Sequence, residues 1–272
     1  MRALLAFDKF KDSLTAPAAC RTAAEALRSA HPDWAVDECP LADGGEGFCA
    51  ILTQAVGGEF VPAKVCGPRQ ASTPAGFGLA PLGRVPPGVR PMLQLESESP
   101  RPEDAAVAVI EMASASGLAL LPLEARDPWQ TTTFGTGELI RLAASRGVGA
   151  IVLGVGGSAT NDLGLGALAA LGFAFHPAGG PPVVPPIPAR WPEIKRIAGR
   201  LAPTLPPIRI ACDVTNPLLG PNGAAAIYGP QKGLRPADLA RLDHECARLA
   251  LMLCAHCRQS DALMDVPGTG AA

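Results

Sequence analysis

The chain has 272 residues, is 48% apolar and 18% charged, and carries a formal net charge of −2 with a pI near 6.1. That length holds one large core or two modest ones. The lack of a basic excess excludes an electrostatic nucleic-acid binder, and no apolar stretch approaches a membrane span.

The opening MRALLAF has one Arg and a short apolar run before Asp8, too short for the apolar region of a signal peptide. A cytoplasmic protein with reduced cysteines is therefore expected. Residues 2–7, RALLAF, read as a short buried strand. A helix is expected over 16–30, with Thr15 as N-cap, Pro17 in its first turn and His31-Pro32 at its close. AVDECPL is a second strand, and ADGGEG (42–47) is a glycine loop opening a helix to about Val56. EFVPAKVCG is a third strand. From Pro68 to Asp104 the chain is rich in Pro and Gly and reads as a linker or irregular excursion.

Residues 105–113, AAVAVIEMA, fit a buried strand ending at a carboxylate, at a length that also permits a helix. TTTFGTGELIRLAASRG (131–147) gives a glycine-broken turn and a helix whose first turn carries Glu138. AIVLGV (150–155) is a strand, the loop GVGGSATNDLG follows it, and LGLGALAALG is a small-residue helix. A second Pro-rich stretch runs from Pro177 to Pro192. IRIAC (208–212) is a strand, and Pro236 to about Cys257 an amphipathic helix. Within it, His244, Cys246, Cys254, His256 and Cys257 lack the second ligand pair of a structural zinc site and read as ordinary helix residues. Alternating strands and helices predict an α/β architecture with a mainly parallel sheet.

In such sheets ligands lie beyond the carboxyl ends of the strands. The chain's polar residues concentrate there: Asp8, Lys9 and Lys11; Asp43 and Glu46; Glu111; Ser158, Thr160, Asn161 and Asp162; Asp213 and Asn216. Gly154-x-Gly156-x-x-Ala159 satisfies the dinucleotide fingerprint, so an NAD-linked oxidoreductase is one reading. The acid that should grip a ribose about twenty residues on is missing. A Walker A loop fails as well, because no Lys-Ser/Thr follows the glycines. What remains is a loop of backbone N–H groups, two hydroxyls, an amide and a carboxylate, suited to a small anion or a phosphate.

Taken together, AFDKFKDSLTA (6–16), PLADGGEGF (40–48), VIEMASASGLALLP (109–122), TTTFGTGELI (131–140), VLGVGGSATNDLGLGALAALG (152–172), ACDVTNPLLGPNGAAAIYGPQKG (211–233) and DVPGTGAA (265–272) resemble, in the same order, the glycerate kinases of the bacterial type I family. The resemblance implies phosphorylation of D-glycerate to 2-phosphoglycerate (or 3-phosphoglycerate), dependent on ATP and Mg²⁺. It also implies two α/β domains, one Rossmann- or flavodoxin-like, with the active site in the cleft between them. Residues 1–57 would form the N-terminal part of that domain and 58–272 the middle domain. Family members continue beyond PGTGAA, so a truncated product is expected, with a non-catalytic remnant as the alternative. A homodimer is the expected assembly.

Phosphoryl transfer asks for alignment, charge neutralisation, metal ligands and an acceptor for the attacking hydroxyl's proton. On that basis Gly156, Gly157, Ser158 and Thr160 are assigned to an anion, either glycerate's carboxylate or ATP phosphate. Asp162 or Asp213 is expected as base or Mg²⁺ ligand, with Asp8, Asp43 and Glu46 as further candidates. Lys11 matches the family's N-terminal Lys and would neutralise a phosphate, with Lys232 as a second cation. Gly44, Gly45, Thr136, Gly137, Asn161 and Asn216 complete the expected substrate and phosphate contacts, while Glu111 and Glu138 are read as supporting residues.

Overall fold

In the computed structural model, residues 1–10, 13–91 and 105–271 are described. Strand β1 (Arg2–Leu5) pairs in parallel with β2 (Ala35–Glu38), and helix α1 (Ala16–Ala30) crosses between them. Helix α1 begins where its cap residues put it: Thr15 Oγ1 accepts the Ala18 N–H at 3.3 Å, and Pro17 occupies the first turn. Its buried stripe is small, Ala16, Ala19, Cys20 and Ala24, which lets the helix lie close over two short strands. In the last turn Arg28 reaches Glu38 at 3.1 Å, tying the helix end to β2.

Helix α2 (Phe48–Ala55) leads into β3 (Glu59–Cys66), β4 (Ser72–Pro81), β5 (Ala106–Glu111), α3 (Ala113–Ser116) and α4 (Phe134–Ser145). Then come β6 (Ala150–Gly154), α5 (Leu165–Ala170), β7 (Ala174–His176), β8 (Arg196–Ala198), β9 (Ile208–Ala211), α6 (Ala224–Tyr228) and α7 (Leu239–Cys257). The central sheet has the order β3-β4-β5-β6-β9. The β3–β4 and β4–β5 pairs are antiparallel, whereas β5–β6 and β6–β9 are parallel. The sheet is thus mixed rather than mainly parallel. Its inner strands β5 and β6 are buried almost throughout, as expected of strands covered on both faces.

A further correction concerns the first hundred residues. Part of the stretch read as an irregular excursion, residues 72–81, is a full strand despite Pro74, Gly76, Gly78 and Pro81. The glycines are there because neighbours fill their side-chain space: a Cβ on Gly76 would lie 2.3 Å from Phe60 Cζ, and one on Gly78 1.7 Å from Thr53 Oγ1. Residues 92–104 of that stretch lie outside the described residues. Helix α2 packs on the central sheet, with Phe48 and Cys49 in one cluster with Ala80, Val107, Val109 and Val152. Residues 42–47 therefore connect the first strand pair to a helix that lies on the central sheet.

Helices α4 and α5 lie on the opposite side of the chain's core from α2, and their approach is close. A Cβ on Gly137 would sit 2.4 Å from Ala167 O, so only glycine permits the crossing. Helix α7 buries Leu242, Cys246, Leu249 and Ala250 against Trp191, Ile194, Phe175 and Leu165. Burial in that cluster pushes the Cys246 thiol up to about 12. Strands β7 and β8, which the sequence does not announce, form the small antiparallel pair that carries Phe175 and Ile197 into it. Among the described residues no helix is long and apolar enough to cross a membrane.

Candidate functional site

The carboxyl ends of β6 and β9 and the glycine loop before α2 meet at one cleft of about 720 Å³, a volume suited to a small-molecule ligand. Lys9, Asp43, Glu46, Gly156, Gly157, Ser158, Asp213 and Lys232 line it, together with Arg126 and Tyr228. Four of the five expected strand ends therefore converge on the cleft, through the topology rather than through sequence neighbourhood, while Glu111 at the fifth does not line it.

The 42–47 loop is set against the loop after β6 with no space between their backbones. Gly156 N donates to Gly44 O at 3.0 Å. A Cβ on Gly156 would fall 2.7 Å from Gly45 N, and one on Gly44 2.9 Å from Ala211 O, at a residue whose φ is +94°. The glycines of the fingerprint thus serve loop-on-loop packing. The helix that should open at Ala159 in a dinucleotide site starts only at Leu165, which removes the structural basis of the NAD reading.

Lys9 extends from the end of β1 across this junction. Its Nζ lies 2.8 Å from Asp43 Oδ1, 2.9 Å from Oδ2 and 4.0 Å from Glu46 Oε2. Burial works against the charge on Lys9, but the Asp43 carboxylate outweighs it and lifts the ammonium above its usual range. The same pairing overcomes the burial of Asp43 and lowers its carboxyl. Glu111, at the end of β5, accepts the Gly47 N–H at 3.0 Å and the Cys49 N–H at 3.2 Å, so it caps the start of α2. Burial raises its carboxyl against those bonds. Glu138 accepts the Cys66 N–H at 2.7 Å and ties α4 to β3.

Asp162 does not reach the cleft. It is 1% exposed. Oδ2 accepts Thr133 N at 2.7 Å, Thr133 Oγ1 at 2.8 Å and Gly166 N at 3.2 Å, and Oδ1 accepts Gly164 N at 3.2 Å. The anion at the start of α5 is the protein's own carboxylate, which joins α4 to α5. Burial pushes this carboxyl up while the four donors pull it down, with burial the larger. In this structure the Asp162 carboxylate is thus occupied by internal donors and does not line the cleft.

Several other expected contacts are also internal. Thr136 is buried and shares a hydrogen bond of 2.8 Å with Ser116, and Gly137 is pressed against α5. Thr160 and Asn161 are buried below the loop, each with one side-chain oxygen, Oγ1 and Oδ1, lacking a partner. Asn216 accepts Tyr228 Oη at 2.6 Å and donates to Asn222 O at 2.9 Å, closing its own turn. Asp8 Oδ1 accepts the Lys9 N–H at 2.6 Å and is not among the residues lining the cleft. Lys11 lies outside the described residues.

Two cations were hardest to weigh from sequence. Lys232, with only 2% exposure, points its Nζ at Ser158 Oγ (3.0 Å) and Thr160 O (2.6 Å). It holds the glycine loop from below, and burial drives its ammonium down to about 7. Arg126 was missed altogether. It sits in LEARDPW with no periodic or motif signal, and only the fold brings it to the cleft.

The description "Glycerate kinase family" belongs to the family model that matches residues 3–272. A glycerate kinase of Haemophilus influenzae is 37% identical over the whole of this chain, which covers 66% of that protein. A glycerate 2-kinase of Escherichia coli is 36% identical, again across the full chain and 66% of its own length. A solved structure named for glycerate kinase 2 from Salmonella typhimurium superposes with a TM-score of 0.77 at 37% identity, covering 100% of this chain and 67% of that one. The chain spans about two thirds of the length of these relatives.

Proposed function

The chain belongs to the glycerate kinase family, and from that premise we propose that its cleft serves ATP-dependent phosphorylation of D-glycerate, giving 2-phosphoglycerate. The observation that carries this reading is the convergence of Lys9, Asp43 and Glu46, Gly156–Ser158, Asp213 and Lys232 around one cleft. The E. coli relative's name, glycerate 2-kinase, supports the choice of product.

In this reading Asp213, exposed beyond the end of β9, accepts the proton of the attacking hydroxyl. The Lys9 ammonium and the Ser158 hydroxyl face the transferring phosphoryl group, and the rigid Gly44–Gly156 contact keeps their elements in register. Among the described residues no three acidic side chains stand close enough to hold a metal ion by themselves, so Mg²⁺ would rest mainly on phosphate oxygens, with Asp213 or Asp43 as a single carboxylate donor. The ion, when bound, neutralises charge on the phosphates. A cytoplasmic location, a homodimer and a separate N-terminal α/β unit belong to the same proposal.

The test couples ADP release to D-glycerate with phosphorus NMR of the product. Turnover giving 2-phosphoglycerate is expected, and Asp213→Asn should lower kcat by about a hundredfold or more while leaving the fold intact. Absence of transfer by the wild-type chain would favour the non-catalytic reading. Undiminished turnover in the variant would remove Asp213 from the mechanism.

A further inference from the structure

Three cationic side chains line the cleft, and they are not equivalent. Lys9 is held by Asp43 and Glu46, and Lys232 is committed to Ser158 and Thr160. Arg126 is different. Among the described residues no carboxylate pairs with it, and its Nε is shut off from solvent without an acceptor. The neighbouring acid cannot serve, because Asp127 Oδ1 accepts the Trp129 N–H at 3.0 Å in its own turn.

The backbone holds Arg126 firmly even though its guanidinium has no partner among the described residues. Its N–H donates to Leu123 O at 3.3 Å, closing the short helical turn Leu123–Ala125. Its carbonyl lies against Gly233, where an added Cβ would stand 2.2 Å from Arg126 O. Gly233 follows Lys232 directly, so the Arg126 segment and the Lys232 turn are packed together at the cleft. A guanidinium presents a flat fork of donors, matched in shape to a carboxylate that binds through both oxygens. A half-buried one without an internal counter-ion is suited to complete its pairing with a ligand.

We propose that Arg126 is the specificity-determining residue of this cleft, taking the carboxylate of the phosphoryl acceptor and so selecting hydroxy acids over neutral polyols. The assignment rests on the phosphotransfer reading for the identity of the acceptor. It does not rest on it for the binding of a carboxylate. Asp213, Asp43 and Glu46 leave the same cleft acidic elsewhere, which would repel a carboxylate and leaves the acceptor one productive orientation. Its acidic group goes to Arg126 and its hydroxyls to the carboxylates.

The test is calorimetric titration of wild type, Arg126→Gln and Arg126→Lys with D-glycerate, its neutral amide D-glyceramide, and ATP, alongside turnover. Arg126→Gln should weaken D-glycerate by about 10- to 150-fold, the contribution of a hydrogen bond to a charged group. D-Glyceramide and ATP should stay within about twofold, and Arg126→Lys should fall between, keeping charge but losing the fork. Equal D-glycerate affinity in wild type and Arg126→Gln would overturn the assignment, as would a loss confined to ATP or no binding by wild type. Arg126-dependent D-glycerate binding without any transfer of phosphate would leave the assignment standing and remove the kinase reading instead.

Discussion

Lys232 shows how a single buried charge links stability to pH. Its ammonium titrates near 10.5 in the unfolded chain and near 7 in the folded one. Between those values the unfolded state holds more protons, so this group makes stability rise with pH; below about 7 both states are protonated and its slope vanishes. At about 1.4 kcal/mol per unit the full rise is on the order of a few kcal/mol. Lys232→Met should abolish it, so the gap in unfolding free energy between wild type and variant should change steadily between about pH 7 and pH 10. A gap constant with pH, measured by urea unfolding, would show that the ammonium is not desolvated. At this scale the sequence was legible in type but not in depth. Asn161-Asp162 two residues ahead of Gly164 is equally the signature of a ligand loop and of a helix cap, and only burial separates the two. Arg126 carries no local signal at all, because its role depends on a turn more than one hundred residues away.

Elements were legible where local chemistry sets them. Thr15 and Pro17 fix the start of α1 in any context, and the apolar run 150–154 can only be an interior strand. Strand β4 was hidden because its glycines and prolines argue for a turn, whereas their reason lies across the sheet in Phe60 and Thr53. The same logic predicts which glycines cannot be changed. A Cβ on Gly135 in α4 would lie 1.8 Å from Cys66 O, a backbone atom that cannot swing aside, whereas Gly88 has nothing within 4 Å. Gly135→Ala should cost about 1–3 kcal/mol or more through overpacking, and Gly88→Ala close to none. Thermal melts of the two variants, run together, would contradict this if their midpoints fell by the same amount.

For the whole molecule, stability is unevenly shared. The β5–β6 pair lies in a five-stranded sheet covered by helices, while β1–β2 is a two-stranded unit with Leu4 left 66% exposed. Two strands with one helix make a small core, and such units open more readily than a covered sheet. Amides of β1 and β2 should therefore exchange with deuterium well before those of β5 and β6. Equal protection in both would mean that the first strand pair draws support from more than α1. The α/β class was legible in the alternation of elements. The sheet's mixed order was not, since strand direction depends on a pairing partner that sequence does not name.

The bond from Gly156 to Gly44 O gives this uneven molecule a seam. With no room for a methyl group on either side, the loop bearing Asp43 and Glu46 cannot slide past the loop bearing Ser158. Arg126 and Tyr228 line the same cleft from segments outside that seam. The weak first strand pair is thereby tied to the central sheet through the loop that follows β2.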